Sequence, residues 1–201
     1  MKKILLIVLF ICLLVSITFN VIIVSNKNSY DDYLGNQVAN RVAVIVDSSF
    51  ENKAILNKII KNKSINKIES HQLYLNFGTS VRELQELKSL NMYLDEVDLE
   101  NYKFLKIINE NGDHFMVQYR SMEKEHINNK VINKEDLDSY RKVLDLMNRY
   151  TDIAESTITG IGEKGRNQAY NQNREYVFTS GEWAQFIKEL HDKTHTESSP
   201  F

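Results

Sequence analysis

A chain of 201 residues with 42% apolar content can build one core of ordinary size plus an appendage, which excludes disorder throughout. Its formal net charge is −2; with Lys2 and Lys3 set aside, 23 basic residues stand against 27 acidic ones, a balance of −4. No basic stripe with interleaved aromatics occurs, so nucleic acid is not an expected partner.

Ile4 to Val24 form 21 residues without a charge, of which 17 are Ile, Leu, Val or Phe. At ~1.5 Å per residue a helix of this length spans roughly 31 Å, about the thickness of a bilayer's hydrocarbon core. The run predicts a transmembrane anchor over 4–24 that contacts membrane lipid. Lys2 and Lys3 precede it, whereas Asp31 and Asp32 follow soon after Lys27, so residues 1–3 are expected in the cytoplasm and the rest outside the cell membrane. The alternative is secretion after cleavage of a signal peptide. Signal-peptide apolar regions are usually about 7 to 15 residues long and end in a small-x-small site, which is not found here. Cys12 lies in the middle of the segment as a small apolar filler, and Ile11 stands where a lipobox wants a small residue. The exported part has no cysteine, so it has no intrachain disulfide and no thiolate metal site.

From there to residue 159 the apolar residues follow alternating steps of three and four, the pattern of helices packed along a seam. With one proline, Pro200, and seven glycines, little interrupts a helix. A first helix carries Leu34, Val38, Val42, Ile45, Leu56 and Ile59, with Ser49 and Asn52 as polar interruptions on the same track; it can be continuous with the anchor. Ser64 is the expected cap of a second helix, striped by Leu73, Phe77, Val81, Leu84, Leu87, Asn91 and Leu94. Residues 102–122 read two ways. Asn111-Gly112 between β-branched and aromatic residues signals a hairpin, but Leu105, Ile108, Gly112, Phe115, Tyr119 and Met122 keep the helical step through the supposed turn. Helix is favoured, with a bend or weak turn at Gly112.

Asn133 followed by Asp136 starts a fourth helix, striped by Leu137, Tyr140, Leu144, Met147, Ala154 and Ile158 and ending near Thr159-Gly160. Residues 160–178, polar and aperiodic at first, read as a linker. Thr179 and Glu182 then form a capping box for an amphipathic helix over 179–195, and 196–201 read as a disordered tail. The expected architecture is all-α: a transmembrane helix, an antiparallel four-helix bundle over 26–159, and a short C-terminal amphipathic helix.

Such an architecture resembles the extracytoplasmic sensor domains of chemoreceptors and histidine kinases, and small membrane-anchored helical proteins of Gram-positive bacteria. The resemblance covers residues 4 to 158 and implies a helical bundle outside the membrane. No second membrane segment and no cytoplasmic signalling domain follow the bundle, so no functional residue is carried over.

Three patterns could carry chemistry. Gly160, Gly162 and Gly165 match the G-x-G-x-x-G of dinucleotide sites, but the end of an amphipathic helix precedes them where a buried strand is required, and no apolar-striped helix follows. Asn109, Asn111 and Asp113 alternate like the first ligands of a calcium loop, whose sixth and twelfth places here hold His114 and Arg120 in place of Gly and Glu. His191 and His195 have the i, i+4 spacing of a helical metal pair at a position where a helix should fray. His71, His114 and His126 are scattered. No catalytic residue, metal site or cofactor is expected.

The functional expectation is therefore a non-catalytic interaction or accessory module of the cell envelope, binding another envelope or membrane protein, with a homo-oligomer as a further option. Its candidate contact face is Trp183, Phe186, Ile187 and Leu190, which a mobile linker allows either to reach a partner or to close over the bundle. Two alternatives stand beside it. A small-molecule module would use a cavity lined by interior polar residues such as Ser49, Asn52, Asn91 and His126, and a hydrolase would gather histidines and acids from separate helices.

Overall fold

The computed structural model describes residues 2–99, 102–194 and 199–201, the first seven of these by backbone alone. The fold is mostly helical, at 81%. A single helix, α1 (Lys2–Asn62), runs 61 residues without a break. Its apolar first part, exposed from Leu9 to Val24, is long enough to cross a membrane, while its second part, from Val38 onward, is the spine of the core. The remaining long helices are α2 (Lys67–Leu94), α3 (Lys103–Lys124) and α4 (Lys134–Thr157). Three shorter ones follow: α5 (Gln168–Gln172), α6 (Arg174–Thr179) and α7 (Glu182–Thr194).

Polar pairs fix the direction of packing. Arg41 meets Glu83 at 2.8 Å, Asn76 Nδ2 donates to Asn52 Oδ1 at 3.0 Å, and Lys58 meets Glu69 at 2.6 Å, so α2 runs back along α1. Ser70 donates to the Phe115 carbonyl, and Lys67 meets Glu123, so α3 is antiparallel to α2. On the other side of α1, Asn52 approaches Met147 and Lys53 approaches Thr151 of α4.

The four long helices do not make the bundle alone. α7 packs on both α3 and α4, and α6 packs on α1, so the core is closed by five helices with α6 as a flank. The sequence signal for this was there in the apolar face of α7, whose burial needs a groove; sequence periodicity does not say which groove.

Gly112 does not end or turn α3. The backbone stays helical through it, and a Cβ there would lie 3.1 Å from Phe77 Cβ on α2, so the missing side chain admits the neighbouring helix. The hairpin reading of residues 102–122 is thereby excluded.

Two small antiparallel ribbons were not foreseen. β1 (Ser64–Asn66) pairs with β2 (Asn129–Val131) at the far end of the bundle, tying the α1–α2 turn to the α3–α4 turn. Ser64 therefore lies in a strand and does not cap α2. The cap is Asn66, whose Oδ1 accepts from Glu69 N at 2.8 Å while Glu69 Oε2 accepts from Asn66 N at 2.9 Å. This reciprocal box satisfies two N–H groups that the helix itself leaves free. Asn66→Ala is expected to cost about 1 kcal/mol in chemical denaturation of the detergent-solubilised chain, with Ser64→Ala near neutral. The Asn133 cap of α4 is as expected, with Asp136 N donating to it at 2.7 Å.

The second ribbon, β3 (Ile161–Gly162) with β4 (Gly165–Arg166), opens the stretch read as a linker. That stretch is built into the fold. Arg166 holds Asp47 of α1 through two bonds, Tyr170 and Val177 are fully buried, and the Tyr170 hydroxyl donates to the Ala39 carbonyl. Apolar residues spaced seven apart among polar ones carry no visible period, which is why the packing of 160–178 was not legible.

Candidate functional site

The candidate contact residues lie on α7. Trp183, Phe186 and Ile187 are each 1% exposed and Leu190 is 0%, all within the core cluster. Trp183 stacks near Phe178 of α6, and the face as a whole closes the groove between α3 and α4. Of the two roles weighed for this face, closing the bundle is the one adopted, and these four side chains present no surface to a partner. The expected Thr179–Glu182 box is also absent. Thr179 ends α6 and donates to Glu175 O, while both carboxylate oxygens of Glu182 are taken by Thr159, from N at 2.9 Å and from Oγ1 at 2.6 Å. That clamp joins the end of α4 to the start of α7 across 23 residues of sequence.

Ser49 and Asn52 find their partners within the protein. Ser49 donates to the Ile45 carbonyl, and Asn52 accepts from Asn76, whose amide also reaches Glu51. The two Asn76 bonds align α2 with α1, while the Ser49 bond stays within α1. His126 does not join them: it is exposed on the turn after α3, with φ +56°. Asn91 is buried, but at the end of α2, where its side chain pins the following turn through Val97 N and O and the Tyr102 hydroxyl.

The motif-like segments dissolve in the same way. Gly162 and Gly165 pair in the β3–β4 ribbon, and Gly160 is in the turn that leads into it. Asn109, Asn111 and Asp113 lie on α3, where alternate residues point about 200° apart. Asn109 bonds Asp113 one turn on, while Asn111 is fully buried on the opposite side, so the three cannot converge on one ion. His191 contacts Asp192 at 3.0 Å, and its proposed metal partner His195 lies outside the described residues. Among the described residues no group of three or more His, Cys, Asp or Glu is arranged to hold a metal ion.

One histidine does have a distinctive setting. His114 stacks face to face on Phe201 with ring centroids 3.5 Å apart, edge-on to Phe115 and Tyr140, and Ser139 donates to the Pro200 carbonyl beside it. Residues 199–201 are thus docked, in contrast to the tail expected there; 196–198 lie outside the described residues. Burial lowers the His114 pKa from 6.5 to about 4, with Asp136 opposing and Lys130 reinforcing the shift. A base depressed in the folded state binds its proton more readily when unfolded, so stability from this site is full above pH 6.5 and falls as pH drops towards 4. Thermal unfolding between pH 7 and 4.5 should show this loss in the native chain and a shallower slope in His114→Phe.

A further surface feature is the end of the bundle nearest the apolar part of α1. Tyr30 and Tyr33 on α1 are 53% and 62% exposed, and Met92 and Tyr93 on the last turn of α2 are 69% and 80% exposed. Two hollows flank that last turn. One, of about 600 Å³, is lined by Lys88, Asn91, Met92, Asp95, Asp98 and Tyr102 among others; the second, of about 280 Å³, lies between Tyr33 and Arg41 of α1 and Glu86 and Ser89 of α2. The Lys88 ammonium sits 4.6 Å over the Tyr102 ring.

The class defined by these observations is an all-α protein whose long apolar N-terminal helix is continuous with the core of a helical domain. Comparison with protein-family models, with curated proteins and with solved structures returns no match.

Proposed function

We propose that the chain is a membrane-anchored, extracytoplasmic helical protein that works as a non-catalytic interaction or accessory module of the cell envelope. The observation that carries this reading is the unbroken course of α1, apolar and exposed over its first part and buried at the centre of the domain over its second. Such a helix holds the domain at a fixed height over a bilayer, which is useful to a protein that must meet another membrane protein. The excess of basic residues at the extreme N-terminus supports an inward N-terminus and an outward domain.

A membrane-impermeant maleimide tests the topology. Cys12 is the only cysteine, so a Val131→Cys chain in intact cells should label at residue 131 from outside, while Cys12 stays unlabelled until detergent is added. Labelling of Val131→Cys only after lysis, or release of the chain by carbonate washing, would count against the reading. In-cell crosslinking should in addition recover a defined membrane partner. Recovery of bulk lipid-associated protein alone would speak against an interaction role.

A further inference from the structure

We infer that the end of the domain nearest the membrane is the docking surface, and that its occupant is a cationic extracytoplasmic segment flanking the membrane helix of another protein. The inference rests on the anchored, outward orientation proposed above. Its observations are the height, the charge and the shape of this one surface.

Height follows from helix geometry. Tyr30 and Tyr33 stand six and nine residues beyond Val24, which is about 9 to 14 Å along a continuous helix. The pairing of Arg41 with Glu83, continued ten residues along each antiparallel helix, brings Tyr93 level with Asp31. The polar zone on each side of a bilayer is about 5 to 8 Å thick. The four exposed side chains therefore stand just above the headgroups, where only the first residues after a neighbouring membrane helix share their level.

Charge selects the sign of the occupant. Between residues 27–33 and 88–99 the sequence places Asp31, Asp32, Asp95, Glu96 and Asp98 against Lys27 and Lys88, a balance of −3. Such a collar is repelled by anionic lipid, which disfavours simple lowering of the domain onto the bilayer. It attracts lysine and arginine. Because the exposed Met92 and Tyr93 are followed directly by Asp95, Glu96 and Asp98, a segment carrying both cations and apolar residues is matched better than a purely basic one.

Shape makes the surface receptive. The turn after α2 is held by three hydrogen bonds of Asn91, itself 3% exposed, so the larger hollow has a fixed floor. Met92 lines the larger hollow, Tyr93 is the next residue on the same exposed turn, and the second hollow continues the surface to Tyr33. Exposed tyrosines with two torsions each lose little conformational freedom on contact and bury large area, which suits an anchor residue.

Photocrosslinking in living cells with the full-length chain tests this. A benzophenone amino acid at position 93 should capture one membrane protein, and the crosslinked peptide should map within about 15 residues of that protein's membrane helix and carry net positive charge. Asp95→Lys with Asp98→Lys should reduce that capture at least tenfold, while Asp113→Lys on exposed α3 should leave it unchanged. Capture of lipid, of a second copy of this chain, or of an acidic or membrane-distant segment would overturn the proposal. So would capture insensitive to the charge reversal. The same probe at exposed positions 117 and 131 separates the two levels of inference. Protein capture there but not at 93 removes this surface and leaves the interaction role; no protein capture at any of the three removes both.

Discussion

Trp183→Ala should destabilise the protein by about 3–5 kcal/mol, the range for removing a large aromatic from a filled core. The indole is 1% exposed and lies in the same cluster as Phe186, Ile187 and Leu190, and α7 reaches both α3 and α4. With five helices sharing one interior, a helix can move inward only by giving up packing it already makes with its other neighbours, so most of the vacated volume stays empty. Denaturation of the detergent-solubilised chain should show the loss in midpoint, with protease cutting between α6 and α7 becoming faster than in the native protein. An unchanged midpoint would mean that α7 undocks freely and that the apolar face is exchanged between the core and the outside. The result also decides how partner-capture experiments are read, because loss of a partner in such a variant reports unfolding before it reports a broken contact.

What could be read from the amino-acid order divides along one physical line. Periods were legible: the apolar run of α1, the stripes of α2 and α4, and the helical step through Gly112 all correspond to helices. So was the start of α4 at Asn133, because a cap is a local bond between residues three apart. Relations across long stretches of sequence were not. Asp47 with Arg166, Glu182 with Thr159, and Phe201 on His114 join residues 23 to 119 apart, and no local pattern announces them. The same limit applies to the candidate site. An amphipathic face was visible at Trp183, but whether it met a partner or a groove in its own chain depended on tertiary closure. The surface around Tyr30, Met92 and Tyr93 was missed because these residues are far apart in sequence and interrupt no stripe. Exposed aromatics grouped beside acidic residues at the two ends of an antiparallel pair are the signal that could have found it.

Gly160→Ala is the second change with a large expected effect, and it turns on backbone alone. The residue has φ +85°, a region that side-chain-bearing residues enter at a cost of roughly 1–3 kcal/mol. Here a Cβ would also fall 2.2 Å from Tyr170 N and 2.6 Å from Tyr170 Cα, where the neighbour is main chain and cannot rotate aside. Tyr170 is held in turn by its hydroxyl on the Ala39 carbonyl, so the clash is passed to α1. A loss of about 3 kcal/mol or more is expected, against near-neutral behaviour for Gly162→Ala, which has open space around its Cα. Side-by-side melting of the two variants separates the accounts. A Gly160→Ala midpoint no lower than that of Gly162→Ala would mean that the turn does not bear on Tyr170. If the turn instead locks residues 160–178 onto α1, Gly160→Ala should release that whole stretch, and amide exchange should rise from Ile161 to Val177 before the rest of the bundle opens.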